Sequence, residues 1–203
     1  RFGYLKLPDG LYDATHVRLV FPAEHQLDGK SYAGEIQVYH HLRGCRAECI
    51  AAFAVLLELP GPGQTAPRKT RELFRNMGLG AGVKMPGAND GMVLEGRIDV
   101  SALDPQLSGK FYHYLGSLTE PPCSENVHWY IPTKPALVTD EVVEEFKKLI
   151  PNATHRKPQP LNNRPVLLSD LALPHEFKNV PVAGSTGAGQ TPSPPPPAYD
   201  CNA

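Results

Sequence analysis

Between Thr15 and His41 the chain reads THVRLVFPAEHQLDGKSYAGEIQVYHH, with four histidines, His16, His25, His40 and His41, and three carboxylates, Glu24, Asp28 and Glu35. Imidazoles and carboxylates gathered in one short stretch are the ingredients of a metal centre or of an acid–base pair. What they can do depends on which of them share a face. THVRLVF alternates, with Val17, Leu19 and Phe21 on one side and His16, Arg18 and Val20 on the other. GEIQVYHH sets Glu35, Gln37 and Tyr39 against Ile36, Val38 and His40. His40 is thus out of phase with Gln37 and faces away from it. A second cluster follows in HHLRGCRAEC, where His40, His41, Cys45 and Cys49 are candidate ligands whose spacing departs from the usual zinc patterns. A Cys45–Cys49 disulfide, or two plain thiols, is the simpler expectation.

The elements that must position these groups are mostly strands. Twenty-two prolines and eighteen glycines cut the chain into short segments, which favours a β-rich domain over a helical bundle. CIAAFAVLLEL, from Cys49 to Leu59, is a continuous apolar run that suits a central strand buried on both faces, and ENVHWYIP is another strand candidate. Two helices are expected. PRKTRELFRNMG carries Leu73, Phe74 and Met77 at helical spacing and stops at Gly78. TDEVVEEFKKLIP has Thr139 as its cap, Asp140 and Glu141 at its positive end, Lys147 and Lys148 at its negative end, and Pro151 to stop it. Its buried stripe is read as Val143, Phe146 and Ile150.

The 203 residues suit one globular domain plus a tail. A net charge of −1 gives no support for general nucleic-acid binding. No run approaches the roughly 18 apolar residues of a membrane span, and no signal segment opens the sequence. Residues 1–181 are expected to form the domain, and 182–203, rich in glycine and proline, an extended tail whose four prolines, Pro194 to Pro197, favour polyproline II. The four cysteines and the NAT acceptor pattern at Asn152 lean towards an extracytoplasmic location, whether secreted, at the surface or in an organelle lumen.

GSLTEPPCSENVHWYIPTKPALVTDEVVEEFKKL, from Gly116 to Leu149, resembles the α-class carbonic anhydrases. AEHQLDGKSYAGEIQVYHH, IDVSALDPQLSGKFYHYLGS and RKPQPLNNRPV extend the resemblance, in order, from about Leu7 to Val166. It implies a mainly β (α+β) fold: a large twisted, mostly antiparallel central sheet with a few surface helices and a cleft on one face. It also implies that the early part of the family's domain is not in this chain, which would leave sheet edges to be covered in an assembly. The family's zinc is held by three histidines, two at i and i+2 on one strand and one on the next, because such positions point to one face. The matching positions here are Arg18, Val20 and Gln37, and none is a ligand of that kind.

Other positions follow the family. Glu24 and Thr119 match the pair that orients the zinc-bound hydroxide, and Glu35 matches the carboxylate supporting the third histidine. His25 matches a structural histidine, and Pro121–Pro122 matches a cis-proline site. Tyr39 and Ala52 fall where the family lines its carbon dioxide pocket, and Glu120 replaces a small residue. Cys123 matches a cysteine that normally pairs near the N-terminus, so Cys201 or a cysteine outside this chain would have to take that place.

The expectation is therefore a catalytically inactive, carbonic anhydrase-like scaffold or binding subunit with no cofactor and no metal. Its partners would be proteins in a larger complex, with a glycan as another candidate ligand and no nucleic acid. In it Arg18 spans the position of the family's cation, paired with Glu35, Gln37 or Glu24. Two alternatives stand beside it: a hydrolase or lyase with a weak or relocated metal site, and a secreted polyanion- or glycan-binding module.

Overall fold

The computed structural model describes residues 4–79, 98–150, 155–170 and 180–181. The expectations about the tail 182–203, Asn152, Pro151 and a Cys123–Cys201 pairing fall outside these residues. The first four strands follow one another as an antiparallel meander: β1 (Tyr4–Leu7), β2 (Gly10–Val20), β3 (Gly34–Leu42) and β4 (Ile50–Glu58). Helix α1 (Arg68–Asn76), a 3-10 turn (Val100–Leu103) and the short α2 (Asp104–Leu107) come next. The chain then returns through β5 (Lys110–Ser117), β6 (Glu125–Pro132), β7 (Ala136–Leu137), α3 (Asp140–Leu149), β8 (Leu167–Asp170) and β9 (Val180–Pro181).

The strands form one mixed sheet in the order β1-β2-β3-β4-β6-β5-β8-β9, with β7 beside β4. β4 pairs in parallel with β6 and β7; every other pair is antiparallel. The apolar run is indeed central: Ala51 to Leu57 are all buried. Two opposed apolar layers explain why. On one face Ile36, Val55 and Leu57 pack with Phe74, Phe146 and Phe21 beneath α1 and α3. On the other, Tyr39, Ala52, Ala54 and Leu56 pack with Val127, Trp129 and Ile131. Gly34 opens β3 against Phe21; a Cβ there would lie 2.4 Å from the Phe21 ring and 2.8 Å from the Val20 carbonyl oxygen, so any larger residue forces the strands apart.

Both expected helices form, with two corrections in α3. Thr139 has the extended backbone of an N-cap, but its side chain makes no capping hydrogen bond. The buried stripe is Val142, Val143 and Phe146, whereas Ile150 is 46% exposed. Ile150 lies just past the last helical residue, where the 3.6-residue period no longer applies. The Pro121–Pro122 bond is cis, as is Phe21–Pro22. Among the described residues no helix is long and apolar enough to cross a membrane.

Candidate functional site

Register decides which of the expected residues meet. Across β2 and β3, His16 stands opposite Tyr39, Arg18 opposite Gln37 and Val20 opposite Glu35. A bulge between Ala14 and His16 sets this alignment, and Thr15 donates its hydroxyl to the Tyr39 carbonyl at 3.1 Å. On β4, Ala52 and Ala54 lie opposite Tyr39 and Gln37, small residues that leave room for a polar layer above them. Arg18, Gln37, Val20 and Glu35 therefore share one face, as the alternation requires.

Arg18 is the hub of that layer. Its Nη1 donates to Glu24 Oε2 at 3.0 Å, to Thr119 Oγ1 at 2.8 Å and to Gln37 Oε1 at 3.2 Å. Its Nε lies 3.5 Å from a Glu120 oxygen at the exposed lip. Of the acceptors expected for Arg18, Glu35 is not used, because other donors occupy it. Burial opposes the charge on Arg18, but Glu24 above all outweighs it, with Glu120 the smallest contributor, so the pKa is held above its ordinary value.

Gln37 is fully buried, and both ends of its amide are engaged. Nε2 donates to Glu24 Oε2 at 2.8 Å and to Glu35 Oε1; Oε1 accepts from Arg18 and, at 2.7 Å, from the Tyr39 hydroxyl. The carboxamide is thus a neutral bridge between two carboxylates. Burial, above all, raises the pKa of Tyr39, which keeps its hydroxyl protonated as a donor.

Glu35 belongs to a second pair. It accepts from the His25 backbone N–H at 3.0 Å, and its oxygens lie 3.1 Å from His25 Nδ1. His25 Nε2 meets the Tyr114 hydroxyl at 2.7 Å, and the ring edge packs on Trp129. Burial works against both charges, yet each partner stabilises the other: the His25 pKa is raised and that of Glu35 lowered. Two cations and two anions are thereby paired beneath the cleft, which offsets the large penalty of burying any one alone.

Arg156 is the participant that strand periodicity could not find. Its backbone N–H donates to Glu24 Oε1 at 2.9 Å, and its guanidinium reaches Ser117 Oγ at 2.7 Å and the Leu118 carbonyl at 3.1 Å. It opens the RKPQPLNNR segment, and the family resemblance of that segment was its sole signal.

The relocated cluster does not assemble. Cys45 and Cys49 form a disulfide, with Cα atoms 6.3 Å apart. His41 Nε2 lies 2.9 Å from the Ala47 carbonyl, and its neighbour His40 points to the opposite face of the sheet. Cys123 is also disulfide-bonded.

Zinc takes neutral imidazoles, thiolates or carboxylates in a tetrahedral set. The residues at the positions expected to hold it are a permanently charged guanidinium, a buried isopropyl group and a carboxamide with both ends engaged. These do not fit the ion.

The model of the eukaryotic-type carbonic anhydrase family matches residues 14–170. Alpha carbonic anhydrase 3 of Arabidopsis thaliana is 32% identical over 85% of this chain and 58% of its own length. Alpha carbonic anhydrase 7 of the same plant is 29% identical over 82% of this chain and 57% of its own. The chain thus spans under two thirds of the curated relatives it matches. Among solved structures, an α-carbonic anhydrase from Thermovibrio ammonificans in complex with the inhibitor sulfanilamide superposes with a TM-score of 0.67 at 28% identity, covering 81% of this chain and 66% of that one.

Proposed function

The chain belongs to the eukaryotic-type carbonic anhydrase family, and from that membership we propose that it is a non-catalytic member acting as a scaffold or binding subunit. The observation that carries this reading is the Arg18 hub. A fixed positive charge lies within hydrogen-bond distance of Glu24, Gln37 and Thr119, the groups that would otherwise surround a metal-bound hydroxide. A second cation at that point is repelled, and no water is polarised there to the near-neutral pKa that hydration chemistry needs. Tyr39 adds bulk beside it, stacked on His16 at 4.6 Å, so the floor of the cleft is filled with side chains.

What remains of the family's site then serves stability. Glu24 and Thr119 receive the guanidinium, and Glu35 receives His25. The Cys45–Cys49 disulfide suits an oxidising compartment and supports a reading in which the subunit works outside the cytoplasm with protein partners.

The test is metal content together with carbon dioxide hydration of the purified chain, alongside the triple variant Arg18→His/Val20→His/Gln37→His. The parent should bind no stoichiometric zinc after dialysis against it and show no hydration above buffer. The triple variant, with the β2–β3 register intact, should gain zinc. Stoichiometric zinc with hydration in the parent would sink the reading.

A further inference from the structure

α1 and α3 are surface helices of similar length whose charges are arranged in opposite ways. α3 follows the rules of helix electrostatics. Asp140 and Glu141 sit in its first turn, Lys147 and Lys148 in its last, and Lys148 pairs with Glu145 at 2.8 Å. α1 breaks them. Its first turn holds Arg68 and Lys69 at the positive end of the dipole, with no acid in that turn, and Pro67 at the N-cap supplies no side-chain hydrogen bond. Arg71 and Arg75 follow as an i, i+4 pair of like charge.

Four cations thus stand on this nine-residue helix against one carboxylate, Glu72, which pairs with Arg68 at 2.8 Å. Among the described residues no carboxylate pairs with Lys69, Arg71 or Arg75, and all four cations are exposed. The helix is held from its other side, where Leu73 and Phe74 are buried in the core beside Val55 and Phe146. The arginines take no part in that packing, and their mutual repulsion works against the helix. A surface element that gives up local stability with no gain elsewhere in the fold points to a function.

We infer that the outward face of α1, formed by Arg68, Arg71 and Arg75, binds a sulfated polysaccharide. Positions i, i+3 and i+7 share one side of a helix and here span about 10 Å along its axis. A single small anion cannot reach all three cations over that length, whereas a chain with anionic groups repeated along it can. Arginine suits oxyanions, because its planar fork gives two parallel hydrogen bonds to one such group. No aromatic ring lies between the charges of this face, so it lacks the stacking platform of a single-stranded nucleic-acid site. It also lacks the apolar anchor that a protein partner needs at the centre of an interface. The Cys45–Cys49 disulfide suits the oxidising surroundings in which sulfated polysaccharides occur. With a net charge of −1 on the whole chain, the attraction is local to α1 and is screened beyond about 8 Å at physiological salt. This function goes beyond the non-catalytic reading and does not depend on it.

The probe is a fluorescein-labelled, fully sulfated heparin decasaccharide, titrated with the full chain at about 150 mM NaCl and followed by fluorescence anisotropy. The desulfated decasaccharide, a single-stranded DNA and a polyglutamate peptide are the controls. The expected result is saturable binding of the sulfated probe, at least tenfold weaker for each control and falling as salt rises. Arg71→Gln/Arg75→Gln should weaken binding at least tenfold while melting at or above the parent's temperature, because a like-charge pair has been removed. Glu72→Gln, which releases Arg68, should tighten binding at least twofold. Absence of binding at that salt overturns the inference, as does DNA or polyglutamate binding within tenfold of the sulfated probe. So does a double variant that binds like the parent, or one that melts lower and thereby shows the arginines to be structural. A Glu72→Gln variant that binds no tighter than the parent overturns it too. None of these readouts involves the cleft, so zinc and hydration in the parent would end the non-catalytic reading separately.

Discussion

The two faces of one sheet are built from alternate residues of the same strands, yet they are held together by different physics. Towards the cleft, Arg18, Glu24, Gln37, Glu35 and His25 form a network in which each charge has a partner. On the far face Ile36, Val55, Leu57, Phe74 and Phe146 interlock as hydrocarbon. The far face loses stability in proportion to the volume removed. The cleft face loses it according to which charge is left without a partner. Conserving size should therefore rescue one face and not the other.

The largest effect expected is at Phe146, whose ring lies 4.7 Å from that of Phe21. Phe146→Ala should cost about 4 kcal/mol in urea unfolding, and Phe146→Leu a good deal less. Arg18→Ala should cost about 3 kcal/mol by leaving the Glu24 carboxylate without its cation. Arg18→Met, which keeps the volume, should recover little of it. If the methionine variant were as stable as the parent, the contrast between the faces would fail.

Acid sharpens the same contrast through two histidines. On the far face His113 is pushed down to about 4 by burial and then by His128, whose Nδ1 is 3.1 Å from its Nε2. The unfolded chain binds that proton at about 6.5, so between pH 6.5 and 4 the unfolded state holds more protons and stability falls as pH falls. Beneath the cleft His25 has the opposite sign and Glu35 the same one. His25 is raised, so its contribution is complete below about pH 6.5 and fades as pH climbs through its folded value. Glu35 is lowered, so its contribution is complete above about pH 4.5 and fades as pH drops through its folded value. Thermal melts at pH 8, 6 and 4.5 should show His113→Thr flattening the loss on the acid side. His25→Gln should remove stability most at pH 6 and less at pH 8.

The smallest effect belongs to Thr139. Because its side chain caps nothing, Thr139→Ala should change unfolding by under about 0.5 kcal/mol. A loss of 1 kcal/mol or more would mean that a capping bond forms in solution.

The strands were legible because a period of two is hard to disguise: THVRLV, GEIQVYHH and ENVHWYIP all lie in strands, and the first two present the faces that alternation assigned them. The pairing of Arg18 with Gln37 was legible only as a shared face. Its register depends on the bulge at Thr15, and no residue pattern announces that extra residue. The preference of Arg18 for Glu24 over Glu35 was not legible either, since it turns on His25 claiming Glu35 first. Arg156 was invisible to periodicity because it reaches Glu24 through its backbone N–H, a group every non-proline residue carries. The Thr139 cap failed for the opposite reason: the residue type was right, but a hydroxyl rotor leaves no trace in sequence.

The parallel contact of β4 with β6 bears on the order in which the molecule can assemble. The meander from Tyr4 to Glu58 needs only neighbouring segments, so it can collapse early and locally. Its inner edge, Ala51 to Phe53, must then wait for His128 to Tyr130, which arrive only after two helices, a 3-10 turn and β5 have been placed. During that wait the most apolar strand of the protein has an open side, and crowded or rapid synthesis is the condition under which it would find the wrong neighbour.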